Sequence, residues 1–524
     1  MLTFRINLRV CVPVKVVHQL LVAQGLLADD EDVTQVVVSL RVTSATLPDL
    51  SLMRSQRRHY EGFVRLQGVV LGITATVTYT RRFKCTHCFM ALKEVKSQRT
   101  LSDDLCQFVK LGQRYEMVGT QRMNFEAENI ACMFEVNNMT AVDYSLMRPL
   151  DSNGAVTMLP ASVRCLYARW GNVSLVFPHL MALKLADQVI PKSCFFKLKL
   201  LLLISLVLPP EVSRLHVLAV SSETHLVHRL LEFCASLGSH SIRHSCLSTL
   251  GAKASASRFP WSPYFIQAGS LVLASHGVCT VGDLQGLKRA DRLELQAALS
   301  EGRVLVTLEA KHTGGLPHVV TLPLSCQVWA HTLLNTANNG SSSITDLPPA
   351  LFDAFSVVCQ CDTGDTASVD ITEALVFSTL ASSMSYIAVA RQQKSVMTVE
   401  AEWLLTSYLI AARHARSHAS SSTASSALPV SAMHTLQSLA HGLCKLSLHH
   451  DVTETDALMA IFLYEESLSA RLGVSGLCVF PEPHLPAFSA ETFITTQMPT
   501  TMRKFHSRLL SFCSGASVTA TSEE

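Results

Sequence analysis

The chain has 524 residues, a formal net charge of +2, 48% hydrophobic residues and 16% charged residues. This length exceeds what one hydrophobic core supports, so about two to four domains are expected. The charged fraction lies below the roughly 25% of ordinary globular proteins, which predicts a surface partly covered by a partner. A net charge this close to zero does not by itself indicate nucleic-acid binding, so any DNA contact must come from a local basic patch.

The cysteines and apolar runs predict an intracellular protein with no membrane partner. Sixteen cysteines lack the framework of a small disulfide-rich domain, which is typical of reduced thiols. Residues 1–9 are interrupted by charge, which does not fit a secretory signal. The apolar run 200–208 is far shorter than the roughly 20 residues needed to cross a bilayer, and it ends at Pro209. It predicts a buried helix.

The N-terminal third has the pattern of a small β-barrel. Its segments are rich in β-branched residues, and Gly68 and Gly72 are expected at bends or bulges. A partly open five-stranded barrel of this kind is the OB-fold, which often binds single-stranded nucleic acid. The predicted strands lie within 36–42, 62–80, 114–119 and 131–136.

Basic residues in this part of the chain alternate with aromatic ones, notably Tyr79 and Phe83. Such a patch suits phosphate contact combined with base stacking. A solvated strand-and-turn surface accounts for the same charges, so both interpretations stay open. The candidate DNA-binding residues are Arg65, Arg81, Arg82 and Lys84.

Cys85 and Cys88 form a Cys-x-x-Cys knuckle immediately after this patch. A knuckle supplies two zinc ligands, whereas a closed structural zinc site needs four. No second knuckle follows in the sequence. A zinc site and a pair of free thiols therefore remain alternatives.

From about residue 200 the pattern alternates between strands and helices, which predicts a mostly parallel α/β sheet with strands at 217–220, 277–281 and 327–330. The turn that begins at Ser221 occupies the place of a phosphate-binding loop. A working loop has the pattern Gly-x-x-x-x-Gly-Lys-Ser/Thr, because its backbone N–H groups and lysine hold the phosphates. This turn has no glycine, and Val227 and His228 occupy the Lys and Ser/Thr positions.

Several segments resemble the minichromosome maintenance (MCM) proteins of the AAA+ class. The run 267–284, which begins Gln-Ala-Gly-Ser-Leu-Val-Leu-Ala-Ser-His-Gly-Val-Cys, resembles a signature of that branch. Segments 92–98 and 111–119 resemble the end of the family's N-terminal domain, and 386–391 resembles the start of its helical lid. The resemblance implies an ATPase fold, and the family's functional positions can be located in this sequence.

The residues that the resemblance places at the family's catalytic positions are substituted. Gly282 replaces the Walker B aspartate, and Asp283 replaces the catalytic glutamate, where a turn-forming role is favoured. Leu351 stands at the arginine-finger position and Ser431 at the sensor-2 arginine. Phosphoryl transfer depends on positioned charge, so we expect a chain that is not an enzyme and has no ATP or other cofactor.

The resemblance also implies the architecture, an α/β plus β-barrel protein. The expected domains are an N-terminal OB-fold with a reduced zinc-ribbon insert (1–145), a linker (146–195), a degenerate AAA+ α/β core (196–365), a helical lid (366–480) and a C-terminal tail (481–524). The chain is shorter than family members at its start and in the ribbon, which fits a partial or spliced form.

The match is best to a divergent, meiotic branch of the family. That resemblance implies a nuclear protein that supports homologous recombination, double-strand break repair, synapsis and fertility. Its expected partners are DNA, in single-stranded or recombination form, and other MCM-like subunits or recombination proteins. Two alternatives stay open: an ATP-driven helicase subunit, and a protein scaffold that no longer contacts DNA.

Overall fold

The computed structural model divides into two compact units, residues 1–143 with 256–265 and residues 144–255 with 266–524. The structure describes only part of the chain. The described residues are 47–49, 62–74, 109–126, 129–142, 156–173, 175–190, 194–256, 262–310, 316–336, 342–343, 347–361, 377–419, 428–472, 475–479 and 492–520.

The first unit contains an antiparallel sheet in the order β1-β3-β4. Val64 and Leu66 alternate with more exposed neighbours and form its small core, as the two-residue period of a strand requires. This sheet accounts for three of the predicted strand segments, whereas segment 36–42 lies outside the described residues. The OB-fold and its ribbon therefore stay predictions. The strands are β1 (Phe63–Val69), β2 (Gly72–Thr74), β3 (Arg114–Glu126) and β4 (Asn129–Ala141).

The second unit begins with α1 (Ala161–Trp170), α2 (Val176–Lys184) and α3 (Phe196–Val207). The first two lie where a linker was expected at 146–195, so that prediction needs correction. α2 is buried along nearly its whole length, because it has almost no polar face and must pack against other elements. α3 is the buried helix that the apolar run predicts.

The centre of the second unit is a five-stranded sheet in the order β15-β5-β12-β9-β6, and each adjacent pair is parallel. This arrangement confirms the predicted parallel α/β sheet and fits an AAA+-like α/β domain. The elements are β5 (Val217–Ser221), α4 (Thr224–Ser236), β6 (Ser241–Arg243), β7 (Ala252–Ala256), β8 (Tyr264–Ala268), α5 (Ser270–Leu273), β9 (Val278–Asp283), α6 (Arg289–Glu301), β10 (Arg303–Leu308), β11 (His318–Pro323), β12 (Gln327–Leu333), β13 (Asn335–Thr336), β14 (Ser342–Ser343), α7 (Pro349–Ala354) and β15 (Val357–Gln360).

β5 is buried at every position, as expected for an interior strand of a sheet covered on both faces. Trp329 of β12 is fully buried, and its indole N–H donates to the Ser205 hydroxyl of α3 at 2.9 Å. This bond satisfies the only polar atom of a large side chain, so the tryptophan joins the sheet to the helix layer without an unpaired donor.

Helices follow in the segment where a lid was predicted. The helix α10 carries the largest apolar face, with Leu436, Leu439 and Leu443 fully buried. Tyr386 donates its hydroxyl to the Leu446 carbonyl at 2.6 Å, which fixes α8 to the end of α10. The elements are α8 (Phe377–Gln392), β16 (Val396–Met397), α9 (Val399–Ala419), α10 (Ala432–Leu446), β17 (Asp451–Val452) and α11 (Glu454–Leu472).

The last described segment is a π-helical turn (Phe493–Gln497) followed by α12 (Met498–Ala520). A C-terminal tail was expected at 481–524, and that expectation needs correction for this segment. Ile494, Phe505 and Leu509 are fully buried in the main core, because apolar residues recur here at helical spacing. Across the described segments, every helix is too short or too polar to span a bilayer.

Candidate functional site

The carboxyl ends of β5 and β12 lie side by side in the sheet, and the chain leaves them in opposite directions. From β5 it crosses through α4 to β6 at one edge, and from β12 it passes to β15 on the far side of β5. In open parallel sheets, ligands bind in the crevice at such a switch point. The candidate site is therefore the turn after β5 together with the ends of β9 and β12.

The turn after β5 is very short. β5 ends at Ser221 and α4 begins at Thr224, so only Ser222 and Glu223 connect them. The Ser221 hydroxyl accepts a hydrogen bond from the Glu223 backbone N–H at 3.1 Å, which closes the turn on itself. A phosphate-binding loop wraps around its ligand, and two residues are too few to do so.

Glu223 occupies the N-cap of α4, and its backbone carbonyl accepts from the N–H groups of Leu226 and Val227. A helix N-terminus normally favours a phosphate, since its free N–H groups and dipole carry partial positive charge. Here the glutamate carboxylate already supplies negative charge at that end. The local field is therefore less favourable for an anionic ligand.

The side chains of Val227 and His228 lie on different faces of α4. Val227 is fully buried in the main hydrophobic core. A lysine at this position would point into the core instead of toward the turn. His228 is part-exposed, and its Nε2 lies 3.2 Å from the Glu232 carboxylate one turn later on the same helix. Arg243 of β6 contacts the same carboxylate at 2.6 Å.

His331 at the end of β12 completes this cluster. Its Nε2 lies 3.3 Å from Nδ1 of His228, and the two rings meet edge to face. In the tautomer whose Nε2–H faces the Glu232 carboxylate, which can only accept, His228 Nδ1 is an acceptor. In that tautomer His331 Nε2–H is the donor.

Burial lowers the pKa of His331 to about 4; the nearby Asp283 opposes this shift, and His228 adds a smaller lowering. His331 is accordingly neutral at ordinary pH. Its Nδ1 is buried and has no hydrogen-bond partner among the described residues. The cluster is thus a compact group of side chains in contact with one another, at the place where a nucleotide site would hold phosphate or Mg²⁺.

Gly282 and Asp283 lie at the end of β9. Gly282 has φ of +86°, in the left-handed region that favours glycine, and the pairing of β9 with β12 shifts register beside it. The Asp283 carboxylate accepts from the Gln285 backbone N–H at 3.0 Å. This bond closes a turn at the end of β9 and is compatible with the turn-forming role predicted for Asp283.

Leu351 lies in α7 and is almost fully buried. An arginine that contacts this helix is Arg471 of α11, whose Nη1 lies 3.8 Å from the Asp353 carboxylate. Arg471 also donates to the carbonyls of Phe355 and Ser356 at 2.6 and 3.2 Å. This arginine holds the end of α7 inside its own subunit and is itself buried, so it does not extend outward as a finger would.

Ser431 lies at the N-cap of α10, where its side chain makes no capping hydrogen bond. Its backbone carbonyl accepts from Thr435 at 2.9 Å, as the first turn of a helix requires.

In the first unit, only one of the candidate DNA-binding residues is described. Arg65 of β1 forms a two-point ion pair with Asp49, at 2.5 and 2.9 Å, and lies 3.7 Å from Glu116. Two carboxylates thus offset its charge. The other candidate residues, Arg81, Arg82, Lys84, Cys85 and Cys88, lie outside the described residues. The described side chains contain no group of three or more potential metal ligands.

Sequence analysis missed His331, Glu232 and Glu223. The strand was predicted to end at residue 330, whereas β12 continues to Leu333 and carries His331 into the crevice. The four-residue spacing of His228 and Glu232 was a usable signal for their pairing on one helix face. The position of Glu223 required knowing that α4 begins only two residues after β5 ends.

Comparison with known proteins gives a consistent set of relatives. The chain is 26% identical over 496 residues to minichromosome maintenance domain-containing protein 2 of Mus musculus, covering 81% of this chain and 71% of the relative. The Homo sapiens protein of that name is 24% identical over 494 residues with the same coverage.

A more distant relative is the probable DNA helicase MCM9 of Oryza sativa subsp. indica, at 24% identity over 277 residues, 48% of this chain and 39% of the relative. No protein-family model matches the chain. Together with the parallel sheet and its switch point, these similarities show that the chain is a divergent homologue of the proteins named minichromosome maintenance domain-containing protein 2.

Proposed function

We propose that this chain is a non-catalytic MCM-like protein that acts in the nucleus in meiotic homologous recombination and double-strand break repair. In this role it is a DNA-associated subunit or scaffold that supports synapsis and fertility. The observation that carries the non-catalytic part is the two-residue turn between β5 and α4, with Glu223 at the helix N-terminus.

Three features of the crevice support the absence of ATPase activity. The turn is too short to wrap a phosphate, Val227 is buried where a lysine would be needed, and Leu351 is buried at the finger position. An arginine finger alone is worth about 10³–10⁵ in rate. Charged groups are missing both from the phosphate-binding turn and from the arginine-finger position. A site shared between two neighbouring subunits would therefore be incomplete in both of its halves.

The recombination part of the proposal rests on the resemblance to minichromosome maintenance domain-containing protein 2 over 81% of the chain. The basic residues Arg81, Arg82 and Lys84 are the proposed contacts to DNA phosphates. Other MCM-like subunits or recombination proteins are the proposed partners. Zinc at Cys85 and Cys88 would require two further ligands.

The second candidate is an ATP-dependent DNA helicase subunit, favoured by the similarity over 277 residues to a protein named a probable DNA helicase. Equilibrium binding of a fluorescent ATP analogue to the purified chain, with Mg²⁺, separates the two. We expect no binding at millimolar nucleotide. Micromolar affinity that ATP competes away would overturn the non-catalytic assignment.

A salt titration of single-stranded DNA binding separates the DNA-associated role from a pure scaffold. For single strands, each phosphate contact contributes about −0.7 to the slope of log affinity against log salt. We expect the Arg81→Ala/Arg82→Ala chain to bind more weakly, with a shallower slope than the parent chain. Arg503→Ala/Lys504→Ala in α12 is the matched control for two lost positive charges. Parent protein with no salt-dependent binding would favour the scaffold.

A further inference from the structure

We propose that the exposed face of α9 is the contact surface of a symmetric dimer of this chain, with the two α9 helices antiparallel. The surface, called the α9 stripe below, consists of Val399, Trp403, Thr406 and Ile410. It lies entirely within the second unit and takes no part in the candidate nucleotide crevice.

The α9 stripe is apolar and unusually accessible. Val399, Trp403 and Ile410 are 80%, 57% and 63% exposed. Their spacing, with Thr406 between, alternates four, three and four residues, so the four side chains lie along one face of the helix. An exposed row of large apolar side chains is a mark of an interaction surface, whereas single exposed apolar residues are common.

The opposite face of α9 already anchors the helix. Leu404, Leu405 and Tyr408 are fully buried, and the Tyr408 hydroxyl donates to the Glu465 carboxylate at 2.6 Å. The helix is therefore held in place by the core without any help from the stripe. Trp403 and Ile410 are largely exposed, so they remain available to pack against another surface.

The charges beside the stripe identify that surface as a second copy of the chain. Glu402 and Arg413 are separated by 11 residues, about three helical turns, so they lie along the same edge of the stripe. No ion pair involving Glu402 or Arg413 occurs among the described side chains.

A twofold axis that passes beside Thr406 and Ser407 reverses one helix relative to the other and keeps like edges together. The acidic part of one copy then faces the basic part of the second, with Glu402 beside Arg413. A parallel pair would instead place like charges opposite each other, which is repulsive. The charge order along α9 thus matches an antiparallel copy of itself.

The apolar contacts fit the same arrangement. Trp403 and Ile410 lie about one turn on either side of a point between Thr406 and Ser407, so an axis there makes Trp403 of one copy meet Ile410 of the other. Thr406 and Ser407 then lie at the axis, where small side chains let two helices approach closely.

Sedimentation equilibrium of the full chain over a range of concentrations tests the proposal. We expect a monomer–dimer equilibrium whose Kd rises at least about tenfold in Trp403→Ala, as for a central aromatic anchor. Glu402→Arg and Arg413→Glu should each weaken the dimer. The double variant Glu402→Arg/Arg413→Glu should restore it, because the antiparallel pairing is complementary again.

Leu247→Asp is the matched control, since Leu247 is fully exposed and lies away from α9. It should leave the dimer unchanged, and thermal melting should show that every variant is folded. If the chain stays monomeric at all concentrations, the proposal is overturned. This holds even if the α9 stripe binds a different protein. A dimer indifferent to Trp403→Ala, or one that the double variant fails to restore, overturns it as well.

Discussion

At the scale of single residues, the crevice is defined by what Val227, His331 and Glu223 do in place of phosphate-binding groups. Val227 packs into the core, His331 is neutral and paired with His228, and Glu223 places a carboxylate at the start of α4. These three positions hold an apolar side chain, a neutral imidazole and a carboxylate. None of the three offers a positive charge to a phosphate.

Restoring the lysine of the motif should therefore damage the protein without restoring ATP binding. In Val227→Lys, an unpaired ammonium would enter a fully buried site, at a cost of several kcal/mol. We expect a large fall in the thermal midpoint and no gain of ATP affinity. Val227→Ile, which keeps the apolar character, is the control. ATP binding by a stably folded lysine variant would show that the side chain can reach the crevice.

The lowered pKa of His331 makes a prediction about acid stability. The unfolded chain protonates this histidine near its ordinary pKa of 6.5, whereas the native state resists protonation until about pH 4. The contribution of His331 to the free energy of unfolding is thus fully present above pH 6.5 and is lost as the pH falls toward 4. At pH 5 the free energy of unfolding is lower by about 2 kcal/mol because of this group.

His331→Gln keeps a donor toward His228 and removes this titration. The drop in thermal midpoint between pH 7 and pH 5 should be smaller in the variant than in the parent chain. It should not vanish, because burial also lowers the pKa of His179 to about 4 and that of His216 to about 3. The exposed His225→Gln is the control, and an unchanged pH dependence in His331→Gln would contradict the assignment.

At the scale of elements, the packing of α10 against α3 shows how closely the lid segment joins the sheet layer. A Cβ placed on Gly442 of α10 would lie 2.4 Å from Cγ2 of Ile204 in α3. Glycine is thus needed for space at this crossing, although it weakens the helix that carries it. Lys445, further along α10, donates to the carbonyls of Arg391 and Gln393, which ties the same helix to the end of α8.

Gly442→Ala should destabilise the protein by about 1–3 kcal/mol through overpacking, although alanine is the better helix former by about 1 kcal/mol. Ile204→Ala alone leaves a cavity and should also destabilise it. The double variant should cost clearly less than the sum, because the new methyl group fills part of the space. Thermal or urea unfolding measures all three, and strictly additive effects would exclude this contact.

At the scale of the whole molecule, the segment after residue 491 closes the core of the second unit. Ile494, Phe505 and Leu509 are fully buried and belong to the same cluster as α2 and α10. The chain end therefore stabilises elements that precede it by several hundred residues. A segment that looks peripheral in the sequence is an integral part of the packed unit.

Truncation after Val479 should therefore lower the soluble yield and the thermal midpoint and increase binding of a hydrophobic dye. Truncation after Ser514, which leaves these buried residues in place, is the control and should melt like the parent chain. If the longer truncation melts unchanged, α12 does not contribute to the core as the buried side chains indicate.

The local sequence pattern was sufficient to predict the parallel sheet, the buried helix α3 and the residue substitutions along the crevice. Strand alternation, apolar runs and motif spacing are properties of neighbouring residues, so they can be recognised without knowing the fold. The same reasoning mistook α1 and α2 for a linker and α12 for a tail, because burial of those helices depends on distant partners.

Only the tertiary structure brought His228, Glu232 and His331 together, since a strand end and a helix face meet only when the sheet forms. It also set the length of the turn after β5, because the start of α4 depends on how that helix packs. The amino-acid sequence by itself determined which residue types stand at the positions that the resemblance assigns to phosphate binding. Three-dimensional packing decided how those residues are held: a histidine cluster, a buried valine and a helix that begins only two residues after β5.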